Sequence, residues 1–177
     1  MCGNNYFDYR IMNVCNEIYS KDIADIIVYN QADVAAALPP SVPGLTSLKL
    51  SSLGTPLATI SIREADDVDM VMEVSPNVKV TSIRQGKGLT YTHDITAVAA
   101  YFPEKAAELT EKTKNIDIHL IYRCVDNTYC MSYGFPESTS LMIEDNAGSG
   151  RNATIKAQVN SLSPLIDVEL PDKQQAT

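Results

Sequence analysis

The chain has 177 residues, with 14 Lys and Arg against 22 Asp and Glu, for a formal net charge of −8. That length suits one domain able to bury roughly 70% of its unfolded surface. The charge argues against a grip on nucleic acid, which needs clustered basic side chains, but not against a surface past which nucleic acid slides.

No apolar run approaches the roughly 20 residues of a membrane span. The opening residues Met1-Cys2-Gly3-Asn4-Asn5-Tyr6 lack the basic and apolar regions of a signal peptide. The expectation is a soluble protein made inside a cell, with no membrane partner. Nine tyrosines and many Val, Ile and Thr, with no tryptophan, lean towards strand.

The first strong apolar run is Ile23-Ala24-Asp25-Ile26-Ile27-Val28-Tyr29. It suits a buried strand, or an arm that adds a strand to a neighbour. Asp33 is placed to cap a single helical turn over 34–38, which Pro39-Pro40 must stop. The turn-rich connector 38–44 predicts a boundary: an N-terminal extension with one strand-like arm (1–44), a β-rich core (45–170) and a polar tail (171–177).

Short strands are expected from there: one over 57–63, then one over 67–75, where Val68, Met70, Met72 and Val74 alternate with Asp69, Val71 and Glu73. Ser75-Pro76-Asn77 turns the chain into a strand over 78–83. Arg84-Gln85-Gly86-Lys87-Gly88 forms a tip, and 89–99 runs back through Tyr91, His93, Ile95 and Ala97. The result is a long reaching hairpin with a basic, glycine-containing end. A helix is expected over 103–114, with proline in its first turn, Glu104 near its start and Lys112 and Lys114 near its end. Its packing face is Phe102, Ala106, Leu109 and Thr113.

Residues 116–135 read as a second hairpin. With Asp126-Asn127 as a two-residue turn, Cys124 faces Tyr129, Tyr122 faces Met131, Leu120 faces Tyr133 and Ile118 faces Phe135, one continuous apolar face. A one-residue slip would lose that face. The same register sends Cys124 and Cys130 to opposite faces, too far around to join. Cys2 and Cys15 remain possible partners, with reduced thiols the expectation for all four. Strands follow through Leu141 and Ile143, over 153–159 with Ala153, Ile155, Ala157 and Val159 inward, and a last edge strand over 165–170. The layout predicts an α+β protein, mainly antiparallel β: a β-sandwich or open barrel with one helix packed across it.

Candidate chemistry is thin. Asp66, Asp67 and Asp69 have the oxygen chemistry for a hard cation, but alternation puts Asp67 and Asp69 on the solvent face of a strand. Glu144, Asp145, Asn146 and Ser149 share no spacing with an EF-hand and are explained by a hairpin connection. Arg84 to Gly88 lacks the Lys-Ser/Thr ending and following helix of a phosphate loop. With two histidines and no Cys-x-x-Cys, a structural zinc site has little to draw on. His93 and His119 are expected as half-buried strand residues, and Asn152-Ala153-Thr154 matches the glycosylation sequon without an export signal. No catalytic residue, metal site or cofactor is predicted, and the chain is not expected to be an enzyme.

The ordered series of a long hairpin, one helix, the strand pair Ile118-His119-Leu120-Ile121-Tyr122-Arg123-Cys124-Val125-Asp126-Asn127-Thr128-Tyr129-Cys130-Met131-Ser132-Tyr133-Gly134, Gly148-Ser149-Gly150-Arg151-Asn152 opening a strand, and the Ser163-Pro164-Leu165 ending resembles small virion proteins of tailed phages. These are of the tail-tube and neck-ring type, especially in crAss-like and other Bacteroides phages. The likeness is one of layout over about 57–170.

It implies a tail-tube-like fold and a virion subunit, made in the host cytoplasm, of a tail tube, neck or head-to-tail ring. The homo-oligomer would be six- or twelve-fold, beside other tail or portal-side proteins, around a channel that DNA traverses without specific binding. It further implies that the tip at Arg84, Gln85 and Lys87 reaches a neighbouring subunit, that the arm with Ile26, Val28 and Tyr29 is a second contact, and that the acidic charge lines the channel. The alternatives are a stand-alone β-sandwich module binding carbohydrate or protein, and a small enzyme.

Overall fold

The computed structural model describes residues 23–39, 47–62, 68–72, 76–85, 88–100, 103–132, 138–145, 152–161 and 164–171. Eleven strands and two helices follow in the order β1 (Ile23–Asn30), α1 (Gln31–Ala37), β2 (Ser47–Lys49), β3 (Ala58–Ser61), β4 (Met70–Val71), β5 (Asn77–Gln85), β6 (Gly88–Ala100), α2 (Pro103–Thr113), β7 (Ile118–Cys124), β8 (Tyr129–Ser132), β9 (Ser138–Asp145), β10 (Asn152–Ser161) and β11 (Leu165–Glu169). They form a seven-stranded sheet in the order β2-β11-β8-β7-β1-β3-β4 and a four-stranded sheet in the order β5-β6-β10-β9. Pairing is antiparallel except for β11 with β2 and β3 with β4. The α+β, mainly antiparallel expectation holds at this level.

Period-two alternation explains the four-stranded sheet. Ile95, Ala97 and Ala99 of β6 and Ala153, Ile155, Ala157 and Val159 of β10 are buried, with polar residues between them except for the half-buried Val98. Their buried face shares one apolar layer with Ile26 and Val28 of β1, Ile60 of β3, Met70 of β4, and Leu120, Tyr122 and Cys124 of β7. Leu109 of α2 joins that layer, with Ala106 and Thr113 half-buried beside it. Glu108 and Lys112 pair one turn apart at 2.9 Å.

The large sheet is buried on its second face as well. There Ile27 and Tyr29 of β1, Ile121 of β7, Met131 of β8 and Ile166 and Val168 of β11 pack with Val34 and Ala37 of α1 and with Leu48, Leu50 and Leu53. This double burial explains why β1 is apolar almost throughout: both of its faces and both of its edges are occupied, since it pairs with β3 and β7.

Several expectations change. The strand-like arm is a central strand, so residues 23–39 are continuous with the core and the expected boundary at 44 does not part them from it. Helix α1 is capped by Asn30, whose side chain accepts from Ala32 N at 2.9 Å, one turn earlier than Asp33. It is a second helix where one was expected. β11 is no edge strand, because β2 covers its outer side. Within 68–72, β4 is only a two-residue strand.

The hairpin of β7 and β8 is one residue out of the expected register. Ile121 faces Met131, Tyr122 faces Cys130 and Arg123 faces Tyr129. Matching apolar residues on one face cannot select register here, since Ile118, His119, Leu120, Ile121 and Tyr122 are all buried. The turn decides instead. Its loop is Val125, Asp126 and Asn127, closed by Asn127 N to Cys124 O (2.9 Å) and Cys124 N to Thr128 O (2.8 Å). Asn127 adopts the left-handed region, φ 66°, the conformation a three-residue hairpin needs at its last position. Asp126 Oδ1 adds bonds from Thr128 N at 3.0 Å and Thr128 Oγ1 at 2.6 Å. This register brings Cys124 and Cys130 onto the same buried face, contrary to the sequence reading, and both are reduced.

Candidate functional site

Of the residues expected to make subunit contacts, Ile26, Val28 and Tyr29 are no more than 2% exposed. They face the molecule's own two apolar layers, and strand addition along β1 is closed because β3 and β7 already occupy its edges. Arg84 and Gln85 are the last residues of β5, paired in register with Leu89 and Gly88. Lys87 lies outside the described residues. The long hairpin itself is present, nine residues in β5 and 13 in β6.

The two sheets end differently. The seven-stranded sheet terminates in strands of three and two residues, β2 and β4, which offer little backbone to a newcomer. The four-stranded sheet terminates in β5 and β9, of nine and eight residues. β9 pairs with β10 without interruption from Ser138 to Asp145 and contains no proline, lysine or bulge. Its outer row of backbone N–H and C=O groups has no strand beside it among the described residues. Since β6 opposes β5, β10 opposes β6 and β9 opposes β10, the two edges run in opposite directions.

The open face of this sheet is polar. Lys79, Thr81, Thr92, Asp94, Thr96, Ser140, Met142, Glu144, Thr154, Lys156, Gln158 and Asn160 alternate with the buried set. Cross-strand bonds tie it together: Lys156 Nζ to Glu144 Oε2 at 2.7 Å, Gln158 Nε2 to Asp94 Oδ1 at 2.7 Å, and Thr92 Oγ1 to Asn160 Oδ1 at 2.9 Å. Two lysines meet two carboxylates, so the face is close to electroneutral. Two apolar residues are described on it, Met142 at 52% exposure and the half-buried Val98 opposite Thr154.

Two polar groupings lie inside the fold. In the second layer, Ser61, Asp25, Arg123 and Tyr129 form one row across β3, β1, β7 and β8. The Arg123 guanidinium Nε donates to Asp25 Oδ2, Ser61 Oγ donates to Asp25 Oδ1 at 2.6 Å, and Arg123 Nη1 donates to Asn127 Oδ1 at 2.8 Å. Asp25 and Arg123 are about nine-tenths buried, so their charges satisfy each other away from water. Burial raises the Tyr129 phenol, an effect Arg123 opposes and Asp25 reinforces. Tyr29 is pushed up to about 12, first by burial and then by Tyr129. Sequence reasoning missed this row, although its signal was present as one carboxylate in the first apolar run and one guanidinium in the second.

The other grouping joins the sheets. His93 of β6 meets Ser132 of β8, Nδ1 to Oγ, at 3.3 Å. The two residues are 0% and 2% exposed, which keeps any substrate from them. Both histidines are therefore fully rather than half-buried. Asp69 is occupied structurally: its Oδ2 accepts from Thr59 N at 2.7 Å and Oδ1 faces Lys112 Nζ at 3.6 Å. Asp66, Asp67, Asn146 and Ser149 lie outside the described residues. Among the described residues no cluster of His, Cys, Asp or Glu has metal-binding geometry. A shallow open groove lined by Asn30, Gln31, Ala32, Ala35, Asn115, Ile116 and Asp117 holds no titratable group besides Asp117. No helix among the described residues is long and apolar enough to cross a membrane. Comparison with protein-family models, curated proteins and solved structures returned no match.

Proposed function

We propose that the chain is a structural subunit of a phage tail tube, neck or head-to-tail ring, its two sheets forming a tail-tube-like sandwich that oligomerises around a DNA channel. The observation that carries this reading is the asymmetry of the edges: the seven-stranded sheet ends in short strands, whereas the four-stranded sheet ends in two long strands that have no further named strand beside them among the described residues. Because β5 and β9 run in opposite directions, a head-to-tail join between copies continues an antiparallel sheet, and such a heterologous contact closes into a ring when its rotation allows. The β5–β6 hairpin, 24 residues end to end (Asn77–Ala100), supports a reach towards an adjacent subunit or ring. In this assignment the protein resides in the virion, after synthesis in the host cytoplasm, beside other tail or portal-side proteins.

The lining that follows differs from the acidic channel implied by net charge. The open face of the four-stranded sheet is rich in hydroxyl and amide groups, with each lysine offset by a neighbouring carboxylate. Such a surface holds phosphate weakly by neutrality, so DNA passes without sticking. The carbohydrate-binding alternative draws no support from this face, whose described side chains include no aromatic ring.

The test is to charge the edge. Ser140→Lys with Met142→Lys places two cations on β9 without entering the core, and repulsion should dissolve rings or tubes that the unaltered protein forms while circular dichroism and melting temperature stay unchanged. Assembly that survives both substitutions removes β9 from the contact. Tight binding of duplex DNA at moderate salt would contradict the passive channel.

A further inference from the structure

The chain's only two histidines are both buried, one in each apolar layer. His93 has Ser132 beside it. His119 is 2% exposed, and neither Nδ1 nor Nε2 has a hydrogen-bond partner among the described residues. Its alternation with Ile121 places it on the second face of the large sheet, the face that α1 and residues 48–53 cover.

The titratable and charged groups around that side begin with Asp117, two residues before His119, which is exposed and lines the groove beside α1. Tyr29 stands beside His119 in register on β1. Arg123, Asp25 and Tyr129 occupy a row four residues further along β7, engaged with one another. From α1, Val34 and Ala37 turn inward, and Asp33 is exposed with its carboxylate against Gly54. From the covering segment, Leu48, Leu50 and Leu53 turn inward, and Lys49 is exposed and bonded to Glu169 at 3.0 Å. From β11, Ile166 and Val168 complete the layer. No described carboxylate pairs with the imidazole.

We propose that His119 is an acid-release latch for the layer made by α1 and residues 48–53. An imidazolium at this position is shut off from solvent and has no counter-charge among the described residues, so taking up a proton requires the covering layer to lift and hydrate the ring. The layer is suited to opening separately from the two-sheet core. It is held by a seven-residue helix, a few leucines, the three-residue pairing of β2 with β11 and the bonds Ser51 N to Ala37 O (3.0 Å), Ser51 Oγ to Ala37 O (3.2 Å) and Leu50 N to Glu169 O (3.0 Å). Only the three-residue edge strand β2 has to leave its sheet, and the other ten strands stay paired.

The direction follows from linkage. Burial lowers His119 from its usual 6.5 to about 4. The closed form therefore binds fewer protons than the open one, and it loses stability as pH falls from about 6.5 towards 4. Between pH 7 and pH 4.5 this favours the open layer by roughly 60-fold.

The test is hydrogen exchange of the full chain, corrected for intrinsic rates, at pH 7 and pH 4.5. The reporters are the Leu38, Leu50 and Ser51 amides, with Ile155 and Ala157 in β10 as references. Reporter protection should fall by roughly 60-fold while the references stay within a few-fold, and His119→Leu should abolish the difference. Equal loss at reporters and references, or an undiminished reporter loss in the variant, overturns the latch. If the variant does not fold, titrating the assigned imidazole signals of the unaltered protein by NMR decides: His119 must stay neutral to well below pH 5.5, and a His119 midpoint near 6.5 overturns the proposal.

Discussion

Arg123→Met tests the buried row most sharply. The substitution keeps much of the side-chain volume but leaves the Asp25 carboxylate, whose side chain is 9% exposed, with Ser61 alone. Removing one partner of a buried pair costs about 3–5 kcal/mol, because the remaining charge keeps its desolvation penalty without its counter-ion. At this burial solvent screening takes little away, so we expect a loss of about 3 kcal/mol. It also severs the bond from Arg123 of β7 to Asn127 in the β7–β8 turn. With a urea m-value of about 2 kcal/mol/M, the midpoint should move down by about 1.5 M. Lys49→Met is the control: its pair with Glu169 is 69% and 55% exposed and should contribute under about 1 kcal/mol. Asp25→Leu combined with Arg123→Met removes both charges and should recover most of the loss, within about 1 kcal/mol of the unaltered protein. An Arg123→Met midpoint shift below about 0.5 M would refute the reasoning, since the pair would then be solvated.

Other substitutions probe separate links. Tyr122 carries a buried hydroxyl with no hydrogen-bond partner among the described residues, and burial, with Cys130 nearby, raises its phenol far above the usual range. Tyr122→Phe should therefore be neutral or stabilising by up to about 1 kcal/mol in urea; a clear destabilisation would reveal a partner for the hydroxyl. Asn127→Val forces a β-branched residue into φ 66° and removes the acceptor for Arg123, so it should lower stability by about 2 kcal/mol, with Asn127→Gly losing less. Ile26→Ala opens a cavity at a residue 0% exposed in the middle of the large sheet and should destabilise by about 2–5 kcal/mol. A value under 1 kcal/mol would fit an arm that is not part of the core.

Much of the fold was legible because one face of the small sheet is open. Where Ala153, Ile155, Ala157 and Val159 alternate with polar residues, period two reports both strand and inward face, and the long hairpin and α2 emerge within a residue or two. Where a sheet is covered twice, the same rule loses its grip. β1 and β7 carry apolar side chains on both faces, so alternation could neither choose the hairpin register nor separate a central strand from an exchanging arm. Register depended instead on Asn127 accepting a positive φ, and on Arg123 meeting Asp25 across 98 positions of sequence. The first is a local cue that a two-residue turn also satisfied. The second becomes visible only once β1 is known to lie beside β7. The open edges, too, follow from strand order, which non-local pairing sets.

The assembly reading is tested most directly by the mass of the purified full chain across a concentration series, by light scattering with electron microscopy of the same samples. The account predicts rings, tubes or a concentration-dependent ladder of multiples of the 19.3 kDa subunit. A single 19.3 kDa species that persists at millimolar concentration would contradict it.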